Sequence, residues 1–462
     1  MTLNFKVAGD EESFESFVRA GSVRRNFDQR IKDTRTRGRD GMCAANLSES
    51  QVESLLNYVE SRLLNASYEF SPYKEVLRLK GASKLPRVIS IPTVGDRLAL
   101  AVLAEYLRGV IPAVEFPRPQ ELVSKIRSAV NSGEYRDFIR LDIKTFYPSI
   151  SHDAVSGALK RNGIASNVVE MVLRAINTPT IPGGGARFEG QFVCNGVPAG
   201  TSIANVLGEI VLHKLDARVT SEPGVAYFRY VDDVVVLGPY GKRTSLTKTI
   251  GEELREVGLS AHPKKVKEKS ASGVISRAPF EYLGYTFADG QVRVENARTA
   301  KLISSVARPI TMLRRAVAES RPDLERIQAR AEWWLNLRIT GCIVDGTRRG
   351  WLPYYSQIDD IGRLHRLDAV VAKLLKRVPQ PWSIESKSFL KAYTFMRDTS
   401  RDRDQYIPNF DLVVDPAVMR AILEQASDYR SIPSDSVAVE VLFRRFVKFA
   451  TAELEADVGG VS

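Results

Sequence analysis

The stretch Ala226-Tyr-Phe-Arg-Tyr-Val-Asp-Asp-Val-Val-Val-Leu-Gly238 decides how this chain is interpreted. Its adjacent acids, Asp232 and Asp233, lie between two short apolar, aromatic and β-branched runs, which predicts a strand, a tight turn and a second strand. Two ionised carboxylates at one hairpin tip repel each other, and burying them unpaired is costly. Either the pair is an exposed turn, or it binds a divalent cation such as Mg²⁺, which takes carboxylate oxygens and substrate phosphates.

A third acid favours the cation site. Residues 138–150 contain another apolar strand that ends at Asp142 and is followed by aromatic residues. The chain between Asp142 and Asp232 is long enough for a helical crossover between neighbouring strands. Three carboxylates on two adjacent strands predict a two-metal phosphoryl-transfer site, in which one ion activates a 3′-hydroxyl and the other stabilises the leaving pyrophosphate.

Tyr230-Val-Asp-Asp233, together with Asp142-Ile-Lys-Thr-Phe-Tyr-Pro-Ser-Ile150, resembles the palm motifs of bacterial reverse transcriptases. The resemblance implies an α+β right-hand polymerase with fingers, a ferredoxin-like palm, an α-helical thumb and a C-terminal helical extension. It divides the chain into fingers with an N-terminal helical segment (1–135), palm with inserted fingers elements (136–295), thumb (296–390) and extension (391–462).

The same resemblance implies an RNA-directed DNA polymerase, which is a nucleotidyltransferase using two Mg²⁺ ions, with Mn²⁺ as an alternative. Asp142, Asp232 and Asp233 would be the catalytic residues and would also hold the metal ions. The backbone carbonyl of Ile143 would be a further metal ligand.

Residues that would contact the incoming nucleotide also follow from the resemblance. Arg87 and Lys84, in a basic hairpin, would reach the triphosphate, since arginine binds phosphate oxygens bidentately; a solvated hairpin edge is the alternative. Tyr147 would pack beneath C2′ and select deoxynucleotides, unless it is a core aromatic. Lys265 would assist the leaving pyrophosphate, although a Lys-Lys-Val-Lys run is commonly a solvated basic face.

Pro198-Ala199-Gly200 lies where the family has a Pro-Gln-Gly loop that supports the templating base and the nucleotide. Ala199 cannot hydrogen-bond through its side chain, so template-independent or protein-primed synthesis stays open. Ala204-Asn205 replaces the Ser-Pro of intron enzymes, and Glu209 resembles the abortive-infection and defence-associated enzymes. Arg338-Ile-Thr-Gly341 together with Gly350-Trp351 also resembles that group, and the type 3 defence-associated subgroup is the candidate within it. This implies bacterial antiphage defence with a bound non-coding RNA.

An aromatic hairpin over residues 280–287 resembles the primer grip of the family, with Tyr282, Leu283 and Gly284 at its centre. Helical periodicity predicts one amphipathic helix over residues 155–176, a helix that ends near residue 216, and helical structure from residue 296 onward.

Net charge of +11 and a pI near 9.4 favour a polyanionic partner. We expect RNA template or non-coding RNA, DNA product and dNTPs as partners, with a second reverse transcriptase, an effector protein or a homo- or hetero-oligomer left open. The three cysteines are widely separated, which argues against a disulfide framework and suits a reducing bacterial cytoplasm. No signal peptide and no apolar run of membrane-spanning length are recognised.

Three other functions stay open at this point. One is an intron or retron reverse transcriptase, although no nuclease motif is recognised and the Pro-Ala-Gly loop is unusual for both. Another is a non-catalytic RNA-binding scaffold, which would have no need for three carboxylates that repel each other. An RNA-dependent RNA polymerase is disfavoured by Tyr147 and by the Tyr-Val-Asp-Asp form.

Overall fold

The computed structural model describes residues 13–79, 85–111, 117–183, 195–263, 269–397, 406–429 and 431–458. The chain divides into two compact units: unit 1 comprises Met1–Phe116 and Asp137–Ser272, and unit 2 comprises Pro117–Arg136 and Gly273–Ser462. The division into fingers, palm, thumb and extension stays a prediction, because compactness alone does not assign these parts. Within the described residues, none of the helices combines the length and apolarity needed to span a bilayer.

The described helices are, in chain order, α1 Phe14–Phe17, α2 Val23–Asn26, α3 Glu49–Leu64, α4 Val94–Val110, α5 Pro119–Ser132, α6 Phe146–Ser149, α7 His152–Arg161, α8 Ser166–Asn177, α9 Ser202–Thr220, α10 Arg243–Glu256, α11 Asn296–Ala318, α12 Leu324–Thr340, α13 Trp351–Tyr354, α14 Ile361–Leu375, α15 Phe389–Arg397, α16 Pro416–Ala426 and α17 Ser436–Val458. The described strands are β1 Tyr73–Arg78, β2 Arg87–Ile91, β3 Asp137–Asp142, β4 Thr180–Ile181, β5 Ala226–Tyr230, β6 Asp233–Gly238, β7 Ala271–Val274, β8 Phe280–Tyr282, β9 Tyr285–Ala288, β10 Gln291–Val294, β11 Cys342–Val344 and β12 Thr347–Arg349.

Unit 1 is built around β5, β6 and β3, which lie next to one another in that order in one sheet. β6 pairs antiparallel with β3 on one side and with β5 on the other. Its residues 234–237 are buried, as their continuous run of valine and leucine predicts for a central strand. Helices α9 and α10 contact the sheet, and their apolar residues join the same core. The predicted strand–turn–strand and the strand ending at Asp142 are therefore confirmed.

A second sheet of unit 1 has the order β2–β1–β4. β1 and β2 form the antiparallel pair that the sequence predicted as a basic hairpin, while residues 80–84 that join them lie outside the described part. The α4 helix follows β2 and begins after Thr93, whose side chain accepts a hydrogen bond from the Asp96 amide. The strand that begins at Arg87 is therefore followed almost directly by a long, largely buried helix.

The prediction of one helix over residues 155–176 is wrong. The structure has two helices there, α7 and α8, separated by a turn. Gly163 in this turn has φ of 75°, a left-handed conformation that glycine adopts without steric cost and that ends α7. The α9 helix continues to Thr220, beyond the predicted end near residue 216.

Unit 2 contains a three-stranded antiparallel sheet, β10–β9–β8, and helices α5 and α11–α17. Helical structure from residue 296 is largely confirmed, but the small hairpin of β11 and β12 interrupts it. Gly341 precedes this hairpin with φ of 69°, and a Cβ there would lie 2.2 Å from the carbonyl oxygen of Arg349. Arg338 of α12 is buried and ion-paired with Glu453 and Asp457 of α17.

Candidate active site

Two neighbouring strands bring the predicted catalytic acids together. Asp142 ends β3 and lies directly opposite Asp233, the first residue of β6. Directly opposed residues of an antiparallel pair point to the same face, so these two carboxylates share one face of the sheet. Val231 and Asp232 form the turn between β5 and β6, and Val231 has φ of 56°, which is unfavourable for a β-branched residue.

The segment that follows β3 is attached to this turn through its backbone. The amide of Ile143 donates to the carbonyl of Asp232 at 3.0 Å. Ile143 also forms a β-bridge with Ala261. In this bridge the backbone amide of Lys144 donates to the carbonyl of Ser260, and the backbone amide of His262 donates to the carbonyl of Asp142. The hydrogen bonds of this bridge do not use the carbonyl of Ile143, the group predicted to be a metal ligand.

Basic side chains contact two of the three carboxylates. Lys269 Nζ lies 2.5 Å from Asp142 Oδ2, and His262 Nε2 lies 3.5 Å from Asp142 Oδ1. Arg140 Nε lies 3.3 Å from Asp233 Oδ1. The sequence does contain a signal for Arg140, because a residue two positions before Asp142 in a strand shares its face. The sequence contains no such signal for Lys269. The predicted Lys265 lies outside the described residues.

The proximity of the three aspartates affects their ionisation. Burial raises the pKa of Asp232, the charge of Asp142 raises it further, and Lys269 and Arg87 oppose the shift. Burial also raises the pKa of Asp233 to about 6, with Arg140 opposing and the other two aspartates adding to the shift. The three carboxylates therefore repel one another in a partly desolvated site.

The described residues contain no group of three or more His, Cys, Asp or Glu side chains that could hold a metal ion. Mg²⁺ is usually held by one or two carboxylates plus substrate phosphates, and seldom by a cage made only of protein groups. Asp142 and Asp232 supply hard oxygen donors whose mutual repulsion a divalent cation would relieve. The residues therefore fit a magnesium ion that binds together with substrate.

The predicted nucleotide contacts Arg87 and Tyr147 lie at the same site. Arg87 begins β2, and its charge opposes the rise in the pKa of both Asp232 and Tyr147. Tyr147 lies in α6 and is half-buried, and its pKa is raised first by burial and then by Asp232. Its hydroxyl donates to Asn205 Oδ1 of α9 at 2.5 Å, a contact that the sequence did not reveal. Lys84 lies outside the described residues.

The Pro198-Ala199-Gly200 loop is held by its backbone. The amide of Val197 donates to the carbonyl of Tyr147, and the carbonyl of Ala199 accepts from Ser90 of β2, both at 2.8 Å. Gly200 has φ of 94°, and a Cβ there would lie 2.6 Å from Ile89 Cγ2. The loop thus connects the tyrosine of α6 to the strand of Arg87 without using the Ala199 side chain.

The predicted primer grip is the turn between β8 and β9 in unit 2. Tyr282 is buried, and Leu283 and Gly284 both have positive φ, 51° and 81°. The carbonyl of Leu283 accepts from the Tyr354 hydroxyl at 3.2 Å, and the backbone amide of Glu295 donates to the carbonyl of Gly284. The turn is therefore well supported, and its contact with a primer stays a prediction.

Comparisons with known proteins agree with this geometry. Residues 78–287 match the family described as reverse transcriptase (RNA-dependent DNA polymerase), and this span carries the three aspartates, Arg87 and Tyr147. Over 191 residues the chain is 26% identical to a retrovirus-related Pol polyprotein from the type-1 retrotransposable element R2 of Popillia japonica. That alignment covers 34% of this chain and 31% of the relative, so the chain spans about a third of that protein's length.

Two solved telomerases are also similar to this chain. Apo telomerase from Candida tropicalis, truncated from its C-terminal domain, matches with a TM-score of 0.35 and 13% identity over 49% of this chain and 55% of its own. Telomerase from Candida albicans, in complex with a TWJ fragment of telomeric RNA, matches with a TM-score of 0.39 and 11% identity over 87% and 68%. The family match and the mixed helix–sheet architecture confirm the predicted α+β right-hand polymerase class.

Proposed function

We propose that this chain is an RNA-directed DNA polymerase that adds dNTPs to a 3′-hydroxyl by two-metal phosphoryl transfer, a proposal supported by the match of residues 78–287 to the reverse transcriptase family. The observation that carries the proposal is that Asp142 lies opposite Asp233 on two paired strands, with Asp232 in the adjoining turn and Arg87 near enough to influence the pKa of Asp232. Buried carboxylates that repel each other beside a phosphate-binding arginine suit nucleotide transfer and serve no evident purpose in a scaffold.

The residues of the site have distinct roles in this proposal. Asp142, Asp232 and the carbonyl of Ile143 would hold divalent ions, Mg²⁺ or alternatively Mn²⁺, which when bound lower the pKa of the attacking hydroxyl and neutralise the leaving pyrophosphate. Asp233 is paired with Arg140 and keeps negative charge on the same face. Arg87 binds triphosphate oxygens, and the ring of Tyr147 excludes a 2′-hydroxyl.

Substitution of the acids tests the polymerase assignment. Asp142→Asn and Asp232→Asn each remove a negative charge needed for metal binding while preserving side-chain volume, so we expect nucleotide incorporation on a primed RNA template to be abolished and the fold to be retained. Asp153→Asn, at an exposed aspartate of α7, is the control and should keep full activity. Full activity of either folded active-site variant would overturn the assignment.

We also propose that the polymerase acts in antiphage defence in the bacterial cytoplasm, with a bound non-coding RNA as template or scaffold. Glu209 and the Arg338-Ile-Thr-Gly341 motif with Gly350-Trp351, which resemble the defence-associated enzymes, support this role. The test is to purify the protein from a bacterial host, sequence the nucleic acid that accompanies it, and compare phage plating on hosts with the wild type and with Asp232→Asn. Equal plating on both hosts would contradict the defence role.

A second candidate is template-independent or protein-primed DNA synthesis. It is favoured by Ala199, whose carbonyl bonds to Ser90 while its methyl group can form no hydrogen bond with a template or nucleotide. Sequencing the DNA made from dNTPs separates the candidates. A complement of the bound RNA supports templated synthesis, whereas DNA unrelated to any bound RNA supports the second candidate. An intron- or retron-type enzyme would copy its own intron or retron RNA.

A further inference from the structure

Arg229 of β5 lies at the centre of a buried cluster of charges next to the catalytic turn. Its side chain is only 6% exposed, and it pairs with Glu209 and Asp216, both on α9. The hydroxyl of Tyr227, on the same face of β5, donates to Asp216 Oδ1 at 2.7 Å. Arginine and carboxylates are costly to bury unless their charges and hydrogen bonds are matched, so the cluster must be well paired.

All five N–H groups of the Arg229 guanidinium have acceptors. Nε and Nη2 donate to the two oxygens of Asp216 at 2.8 and 2.5 Å. Nη1 and Nη2 donate to the two oxygens of Glu209 at 3.0 and 2.6 Å. The remaining N–H, on Nη1, donates to the carbonyl oxygen of Val231 at 3.1 Å. A guanidinium has five donors in one rigid plane, so this arginine cannot turn without breaking several hydrogen bonds.

The Val231 carbonyl belongs to the peptide that joins Val231 to Asp232. Val231 has φ of 56°, a conformation that a β-branched residue keeps only when its surroundings hold it there. The orientation of this peptide determines where the Cα of Asp232 directs its carboxylate. On the other side of the turn, the carbonyl of Asp232 accepts from the Ile143 amide.

We propose that Arg229 is a positioning residue for Asp232. Glu209 and Asp216 fix the guanidinium to α9, the guanidinium fixes the peptide of Val231, and this peptide sets the direction of the Asp232 carboxylate. We call these three residues the Arg229 clamp. The inference rests on the proposed function, because it assigns Asp232 to catalysis, and it gives α9 a part in the reaction besides its place in the core.

The test compares Arg229→Lys with the wild-type full chain in primed, RNA-templated incorporation of dNTPs. Lysine keeps the charge but cannot form the two bidentate pairs and the Val231 contact together. We expect kcat to fall on the order of 10²-fold, the effect of a displacement of about 1 Å in an active site. KM for dNTP should stay nearly unchanged, and half-maximal activity should require more Mg²⁺. A kcat and Mg²⁺ requirement equal to those of the wild type, in a folded variant, would overturn the proposal.

Arg174→Lys is the matched control. Arg174 is a half-buried arginine of α8 in unit 1 that donates to the carbonyl of Ala66, so its loss tests the general cost of replacing a packed arginine. We expect it to leave kcat and the Mg²⁺ requirement unchanged. If Arg229→Lys does not fold, Glu209→Gln takes its place in the test, because the glutamine amide has one oxygen that can accept from the guanidinium in place of two. We expect a smaller loss of kcat at constant KM. A kcat equal to that of the wild type would overturn the proposal.

Amide hydrogen exchange tests the clamp without any polymerase activity. Exchange in a peptide covering residues 226–238 should be faster in Arg229→Lys than in the wild type, and unchanged in Arg174→Lys. Equal exchange in all three proteins would overturn the clamp. A wild-type protein that incorporates no nucleotide would overturn the proposed function instead, while the exchange comparison would still decide whether Arg229 holds the turn.

Discussion

Asp233 shows how burial and charge act together on one carboxylate of the site. Its pKa is raised to about 6 because burial disfavours the ionised form more than Arg140 favours it. The two neighbouring aspartates add to the shift. At neutral pH Asp233 is therefore mostly ionised, with Arg140 as its counter-charge.

This shift predicts a pH-dependent contribution to stability. The pKa of Asp233 in the folded chain, about 6, lies above the value of about 3.9 expected when unfolded, so the stabilisation is complete below about pH 4 and is lost as the pH rises to about 6. Asp233→Asn cannot ionise. We therefore expect the free energy of unfolding of the wild type, relative to Asp233→Asn, to decrease from about pH 4 to 6 and then stay constant. Urea unfolding in EDTA measures this difference, and a difference independent of pH would contradict it.

Tyr147 and Asn205 allow a second prediction at this scale. Tyr147→Ala removes the ring that would exclude a 2′-hydroxyl, so we expect the preference for dNTPs over NTPs, measured as a ratio of kcat/KM, to fall on the order of 10-fold or more. Tyr147→Phe keeps the ring and loses only the bond to Asn205, and should retain most of the preference. If Tyr147→Ala discriminates as well as the wild type, the ring is part of the core and does not select the sugar.

The α9 helix is the element that connects the parts of the site. Glu209 and Asp216 bind Arg229, Asn205 binds Tyr147, and the helix begins directly after the Pro198-Ala199-Gly200 loop. A Cβ on Gly208 would lie 2.9 Å from the ring of Phe146, so the helix backbone packs closely against α6. A shift of α9 would therefore reach the tyrosine and the catalytic turn together.

Gly200→Ala tests the loop that leads into α9. The positive φ of Gly200 costs an alanine about 1–2 kcal/mol, and the new Cβ would contact Ile89 at 2.6 Å. We expect a lower unfolding temperature and a loss of polymerase activity, since the loop must move away from β2. The control is Gly109→Ala in α4, where a Cβ meets nothing within 4 Å and alanine favours the helix. Unchanged stability and activity of Gly200→Ala would show that the loop does not need this close contact.

At the scale of the whole molecule, the net charge of +11 predicts salt-dependent nucleic-acid binding. If about six or more phosphates are contacted, affinity for a primed RNA template should fall on the order of 10³-fold between about 50 and 200 mM salt, because bound counterions are released on binding. Fluorescence anisotropy over this range measures the slope. An affinity that does not change with salt concentration would contradict binding through a basic surface that follows the phosphate backbone.

Local patterns of residues were enough to predict the strands that carry Asp142 and Asp233, the turn between β5 and β6, the strand of Arg87 and the aromatic hairpin in unit 2. Each of these depends on a short periodic run and its turn residues, which act locally. The break between α7 and α8 has a local signal in Gly163, which helical periodicity alone did not take into account. Packing between separate segments set the small hairpin after α12 and the partners of Asp142 and Arg229. Lys269 meets Asp142, and α9 meets Arg229, only because distant segments return to the same place in the fold. Pairing of charges across such distances depends on packing geometry, which no local pattern of residues contains.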